Sequence, residues 1–228
     1  MRIDKYLADM SCDSRKEVKE LLKLGRVKVN DVVIKKNDYK VNENDIVKLD
    51  DEIINYLEYE YYILNKPAGY ISALEDNRYP VIIDLVNTRR KDVVPVGRLD
   101  LDTEGIILLT NDGQLNHRLL SAKYHVDKKY YVELESDIDE SAIDTFAKPL
   151  DLGDFITLPA KLEILDKRNA YLTISEGKYH QVKRMFEAIG NKVIYLRRDE
   201  FGPLKIGDLK LGEFRELTEE ERKELLKY

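Results

Sequence analysis

Two kinds of apolar pattern recur along the 228 residues, and together they predict a protein of mixed helices and strands. Runs of strand length, rich in β-branched and aromatic residues, occur at Tyr61–Leu64, Ile106–Thr110, Asp127–Leu134 and Tyr171–Ser175. Helical spacing occurs at Val18, Leu21 and Leu22, at Leu115, Leu119 and Leu120, and at Val182, Met185, Phe186 and Ile189. An acidic bridge without glycine or proline, Asp51–Glu58, separates the first fifty residues from the rest. A small domain with its linker is therefore expected over 1–55, and a larger domain over 56–228.

In the small module, Ile3, Leu7 and Met10 give one short amphipathic helix. Asp13 or Ser14 can cap a second, whose outer face carries Arg15, Lys16, Lys19 and Lys23. After Gly25, the alternating RVKVND, a turn, VVIKK and Ile46–Leu49 read as short strands. A charge-rich helix of this kind is ordinarily a solvated face.

The larger domain is organised around Val96–Gly113, VGRLDLDTEGIILLTNDG. Its apolar run reads as a buried strand, and Asn111-Asp112-Gly113 is turn punctuation before a helix. Ahead of the strand lies a polar loop in which Gly97 makes room and Arg98 and Asp100 flank Leu99. On spacing alone this is a hairpin approach rich in capping side chains. A cation and a carboxylate two residues apart on a braced loop can also present a nucleophile beside a phosphate-binding group.

On either side, Asn65-Lys66-Pro67-Ala68-Gly69 turns the chain, and helices are expected over Val81–Thr88 and Asp137–Ala147. Alternation places Tyr130, Val132 and Leu134 on one strand face, where Tyr130 reads as a core tyrosine. Lys183 and Arg184 fall in the first turn of the helix that follows Glu176-Gly177-Lys178. Cations there oppose the helix dipole, so they serve something other than helix stability, and an anionic partner is the candidate.

Composition excludes several classes. No apolar run approaches 18 residues, and MRIDKYLADM carries charges where an export signal needs an apolar core. Cys12 is the single cysteine, which suits a reducing cytoplasm, and with three scattered histidines it offers no metal-ligand spacing. The net charge of −6 argues mildly against nucleic acid. Binding responds to the local field, however, and two stretches are basic. Ser14–Lys28 carries six cations against two carboxylates, and Gly177–Arg198 six against one.

The string G-R-L-D, followed by D-T-E-G, an apolar strand and T-N-D-G, resembles the catalytic motif of RNA pseudouridine synthases, and within them the RsuA-type branch. N-K-P-x-G at Asn65–Gly69, K-x-Y at Lys128–Tyr130, Y-H-Q-V-K-R-M-F at Tyr179–Phe186 and the tail from Phe201 resemble the same branch. SRKEVKELLKLGRVKVN resembles the α-L RNA-binding module first described in a small-subunit ribosomal protein. That module usually has Gly after the Asn of V-K-V-N; here Asp31 stands there, and Asp also tolerates a left-handed turn.

The resemblance implies an α+β fold, an α-L module joined to a catalytic domain with a mixed, mainly antiparallel sheet. It implies isomerisation of uridine in small-subunit (16S) ribosomal RNA by a cytoplasmic, monomeric enzyme without cofactor or metal. Asp100 carries over as nucleophile, Tyr130 as the active-site tyrosine and Lys183 as the cation beside Asp100, with Arg184 the alternative. A partly desolvated carboxylate needs such a cation to stay charged. Arg98 would fill the gap left by a flipped uridine or hold a phosphate, and Arg184 with Arg15, Lys16, Lys19 and Lys23 would face RNA. Large-subunit RNA is a second substrate reading, opposed by Tyr179-His180. A non-catalytic ribosome-assembly RNA binder is a third, opposed by the intact R-L-D, K-x-Y and H-Q-V-K positions.

Overall fold

The computed structural model describes residues 1–10 and 14–228; Cys12 and the alternative cap Asp13 lie outside the described residues. The chain divides into two compact units, Met1–Glu60 with Asn87–Val93, and Tyr61–Val86 with Val94–Tyr228.

In the first unit, α1 (Ile3–Met10) and α2 (Arg15–Lys23) precede β1 (Val27–Val29), β2 (Val32–Val33), β3 (Val47–Leu49) and β4 (Glu52–Ile53). Ser14 starts α2 by accepting the Glu17 amide on its Oγ at 3.2 Å. The strands are antiparallel in the order β2-β1-β3-β4. Asn30-Asp31 and Asp50-Asp51 hold positive φ at two hairpin tips, the geometry that tight two-residue turns demand. Ile3, Leu7, Val18, Leu22, Val27 and Val47 are fully buried where the helical stripes meet the sheet.

The bridge read as a linker contributes structure. Glu52–Ile53 pairs with β3, and Tyr56 donates its hydroxyl to Asp9 Oδ2 at 3.0 Å. Two residues after an Asp-Asp tip are too few to show alternation in sequence. Asn87–Val93 is held to this unit by Arg90, whose buried guanidinium donates to the Leu57 carbonyl at 2.9 Å and to both oxygens of Asp92 at 2.9 and 2.6 Å.

The second unit contains β5 (Tyr61–Lys66), β6 (Val94–Pro95), β7 (Glu104–Thr110), α3 (Gly113–Leu120), β8 (Lys128–Leu134), α4 (Ser141–Phe146), β9 (Lys161–Ile164), β10 (Asn169–Ile174), α5 (Gln181–Ala188), β11 (Val193–Phe201), β12 (Leu204–Lys205), β13 (Phe214–Glu216) and α6 (Glu219–Leu225). Among the described residues the sheet runs β13-β5-β7-β11-β8-β10-β9, with β6 added to β7 and β12 to β11. Only β7 and β11 pair in parallel there, which makes the sheet mixed and mainly antiparallel. Gly105 is needed at that junction. A Cβ on it would lie 2.2 Å from the Arg198 carbonyl oxygen, and its φ is +109°.

Ile63, Ile106 and Leu108 pack under Leu115 and Leu119 of α3 and Leu225 of α6. Asp112 caps α3 by accepting the Leu115 amide at 2.9 Å. Val182, Met185 and Phe186 bury the inner stripe of α5, and Phe186 meets Phe146 of α4 edge to face at 5.1 Å.

Three expectations differ from the fold. Val81–Thr88 holds only a 3-10 turn, Ile82–Leu85, because Val81 bridges to Ile71 and the chain is extended there. The helix expected over Asp137–Ala147 is confined to α4. Its approach is tied elsewhere, with the Ile138 amide on the Lys167 carbonyl at 2.7 Å and Asp139 Oδ1 accepting from Ser141 at 2.8 Å. In sequence, β11 stands out only as part of a basic stretch. Its inward slots hold Leu196 and Arg198, and the arginine hides the alternation. No helix among the described residues is long and apolar enough to cross a membrane.

Candidate active site

The polar loop between β6 and β7 is fixed from beneath by a lysine. Lys66 ends β5 fully buried, and its Nζ donates to the carbonyl oxygens of Thr103 (2.7 Å), Asp100 (2.9 Å), Pro67 (3.2 Å) and Leu101 (3.4 Å). Burial pushes its ammonium down to about 8, against the pull of the Asp100, Asp102 and Glu104 carboxylates. Ser72 braces the loop on its other side, accepting the Leu99 amide on Oγ at 3.0 Å. The Gly69 amide donates to the Leu101 carbonyl at 2.8 Å. With its peptide groups bound on both flanks, the loop presents Asp100 from a fixed backbone.

The Asp100 side chain remains 28% exposed and faces two groups from the start of α5. Lys183 Nζ lies 3.4 Å from Oδ2, and His180 Nε2 lies 3.5 Å from Oδ1. Lys183 also donates to Asp102 Oδ1 at 2.7 Å. Burial raises the Asp102 carboxyl, but the Lys183 hydrogen bond and charge outweigh it and hold the group below the usual range. Arg184, one residue on, turns away to the Asp154 carboxylate and the Leu152 carbonyl at 2.8 Å. A step of about 100° around the helix separates the two cations, so only Lys183 meets Asp100.

A cavity of about 230 Å³ opens beside this cluster, lined in part by Arg98, Asp100, Lys128, Tyr130, His180 and Arg198. Tyr130 is buried on the inward face of β8, as the alternation required, and its side chain forms part of the cavity wall. Arg98 is exposed on the same wall. Lys128 donates Nζ to the Val126 carbonyl at 2.6 Å, and burial, then the like charge of Arg198, push it down to about 8. Arg198 is 2% exposed and donates Nε to the Ile106 carbonyl at 2.8 Å. The basic count over Gly177–Arg198 is therefore not one RNA-facing patch: Arg198 is buried, Arg197 is paired with Asp199, and Arg184 with Asp154.

In the first unit, Arg15, Lys16, Lys19 and Lys23 are all exposed on α2, with Lys23 paired to Glu20 at 2.7 Å. Three groups at the site were not singled out from sequence for what they do. Lys66 read as a turn marker, His180 as a branch marker, and Lys128 as a strand residue. The signal that could have found Lys66 is a lysine closing a run of otherwise uncharged strand residues, YYILNK, where burial of the whole strand leaves the ammonium no route to solvent.

The segment that carries this carboxylate, lysine and cavity matches a known family, RNA pseudouridylate synthase. Residues 60–188 match that family's model, residues 1–47 match the S4 domain, and the chain belongs to the RNA pseudouridylate synthase family. The chain is 46% identical to an uncharacterized RNA pseudouridine synthase, YtzG, of Bacillus subtilis, over 97% of this chain and 96% of that one. It is 39% identical to the ribosomal small subunit pseudouridine synthase A of Haemophilus influenzae over the full length of both. The Escherichia coli protein of the same name is 37% identical over 97% of this chain and 98% of its own. A crystal structure of a pseudouridylate synthase, 38% identical, superposes with a TM-score of 0.70 and covers 99% of each chain.

Proposed function

We propose that this chain converts a specific uridine of small-subunit (16S) ribosomal RNA to pseudouridine, with Asp100 as nucleophile. The observation that carries the substrate is identity of about 40% with small-subunit enzymes along nearly the whole chain, module included. In the reaction the bond from the ribose anomeric carbon to ring nitrogen one breaks and a bond to carbon five forms. Carbon five gives up its proton and nitrogen one gains one, so no redox partner or external energy is required.

Asp100 attacks the anomeric carbon or carbon six of the ring, and the Lys183 ammonium at 3.4 Å supplies the compensating charge. Tyr130 stacks on the flipped uracil and helps remove the carbon-five proton. Arg98 fills the vacated stack or holds a phosphate. Residues 1–55 act as the affinity module through Arg15, Lys16, Lys19 and Lys23, and 56–228 as the catalytic domain of a cytoplasmic monomer.

Carbodiimide primer extension on ribosomal RNA from cells lacking this protein tests the substrate. Loss of one 16S pseudouridine, restored by the wild-type chain, is expected. Loss in 23S instead would move the target to the large subunit, and unchanged maps of both would favour an assembly factor.

A further inference from the structure

The turn from β10 into α5 ends in an aromatic pair, Tyr179 and His180, whose outer ring packs against nothing else that starts the helix. Tyr179 is 75% exposed, more than any other large apolar or aromatic side chain among the described residues. Its ring lies flat on His180, centroids 3.8 Å apart and planes 16° from parallel. Helix starts often pack the residue before the cap onto the fourth helical residue. Here that residue is Arg184, which is engaged with Asp154 and with the Phe155 ring, 5.0 Å from its guanidinium. Tyr179 thus contributes little to starting α5. His180 adopts φ +48°, a left-handed conformation uncommon for a residue with a side chain, and makes no side-chain cap bond to the helix. That backbone places its ring between Tyr179 and the carboxylate of Asp100, 3.5 Å from Nε2.

Flipping a uridine out of RNA strips a stacking partner from each of its neighbours. An exposed ring at the rim of the receiving cavity restores one, whatever base is there, because every base has a π face. We propose that Tyr179 is the stacking platform for the nucleobase next to the target uridine, backed by the His180 ring that lies beneath it. Lys178 and Arg98, both exposed on the wall of the same cavity, are placed to meet the phosphates of that strand. This rests on the reading of Asp100 as the centre of the site.

The test is a double-mutant cycle in dissociation constants. The RNA is a 16S fragment carrying the mapped uridine, intact or with an abasic ribose at the 5′ or the 3′ neighbour. On intact RNA, Tyr179→Ala should bind between about fivefold and a hundredfold more weakly than wild type, and Tyr179→Trp about as well as wild type. Removing the stacked base should cost the wild type the same factor and Tyr179→Ala nothing further. Circular dichroism checks the fold, which an exposed side chain should leave unchanged. Full affinity of Tyr179→Ala on intact RNA, or penalties that multiply at both abasic positions, would overturn the platform. Failure of the site reading shows separately, as tritium release from carbon five by Asp100→Asn.

Discussion

Two basic regions that look alike in sequence behave differently in the folded chain. The outer face of α2 keeps Arg15, Lys16, Lys19 and Lys23 exposed, and Lys23 has a partner one turn away. Along Gly177–Arg198 five of the six cations are held within the fold: Lys183 by Asp100 and Asp102, Arg184 by Asp154, Lys192 by Glu135, Arg197 by Asp199, with Arg198 in the core and Lys178 left exposed. A solvated cation acts through the long-range field and is screened by salt. A cation held against a partner in a partly buried site acts through geometry and is screened much less. The first kind supports affinity, the second a site.

The largest expected effect lies beneath the catalytic loop. Lys66→Met leaves four carbonyl contacts unmade, and each buried polar group left unsatisfied costs about 1–3 kcal/mol. Urea unfolding should report a loss of about 3 kcal/mol or more, and turnover should fall with it. Unchanged stability would mean that the loop holds itself. Next, Lys183→Met removes charge-assisted contacts worth about 1.5–3 kcal/mol, so turnover should fall roughly ten- to a hundredfold. Arg184→Met should leave turnover nearly intact, since its partners lie at Leu152 and Asp154. Equal losses from both would erase the distinction between adjacent cations.

A smaller effect is expected with pH. Lys128 is held at about 8, below its unfolded value, so the folded chain gives up that proton first. Below about 8 both states carry the charge and the folded one bears the full cost of burying it. Between about 8 and 10.5 the unfolded chain binds more protons, so this group's contribution to stability rises with pH. Wild type should therefore gain on Lys128→Met over that window, by an amount on the order of 1–3 kcal/mol in urea titrations at pH 7 and 10. A constant difference would place the ammonium in contact with water. The smallest effect on turnover belongs to α2. Changing Arg15, Lys16, Lys19 and Lys23 to Gln should flatten the slope of log affinity against log salt by roughly 2–3 units, at about 0.7 per single-strand phosphate. Substitution is preferable to truncation, because removing residues 1–55 would strip the buried Arg90 guanidinium of Asp9, whose carboxylate lies 3.5 Å from it. An unchanged slope would leave α2 as merely a solvated face.

What was legible in sequence was local. Val182, Met185 and Phe186 carry their periodicity openly, Asp112 stands where a helix cap belongs, and Tyr130 falls on the inward face by simple alternation. What was hidden depends on contacts distant in the chain. Arg198 occupies a core slot only because β11 lies parallel to β7, with Gly105 yielding the space for its backbone. Lys66 meets the loop 34 to 37 residues later, a closure that no window shows. Both Lys183 and Arg184 fit the motif, and helix phase decides which of them reaches Asp100.

On the function proposed above, this fixed loop serves to present one carboxylate, that of Asp100. Tritium release from carbon-five-labelled 16S RNA by Asp100→Asn, beside wild type and with RNA binding measured in parallel, tests it most directly. No release above background is expected, with binding within a few-fold of wild type. Appreciable release by the variant would contradict it and remove Asp100 as the nucleophile.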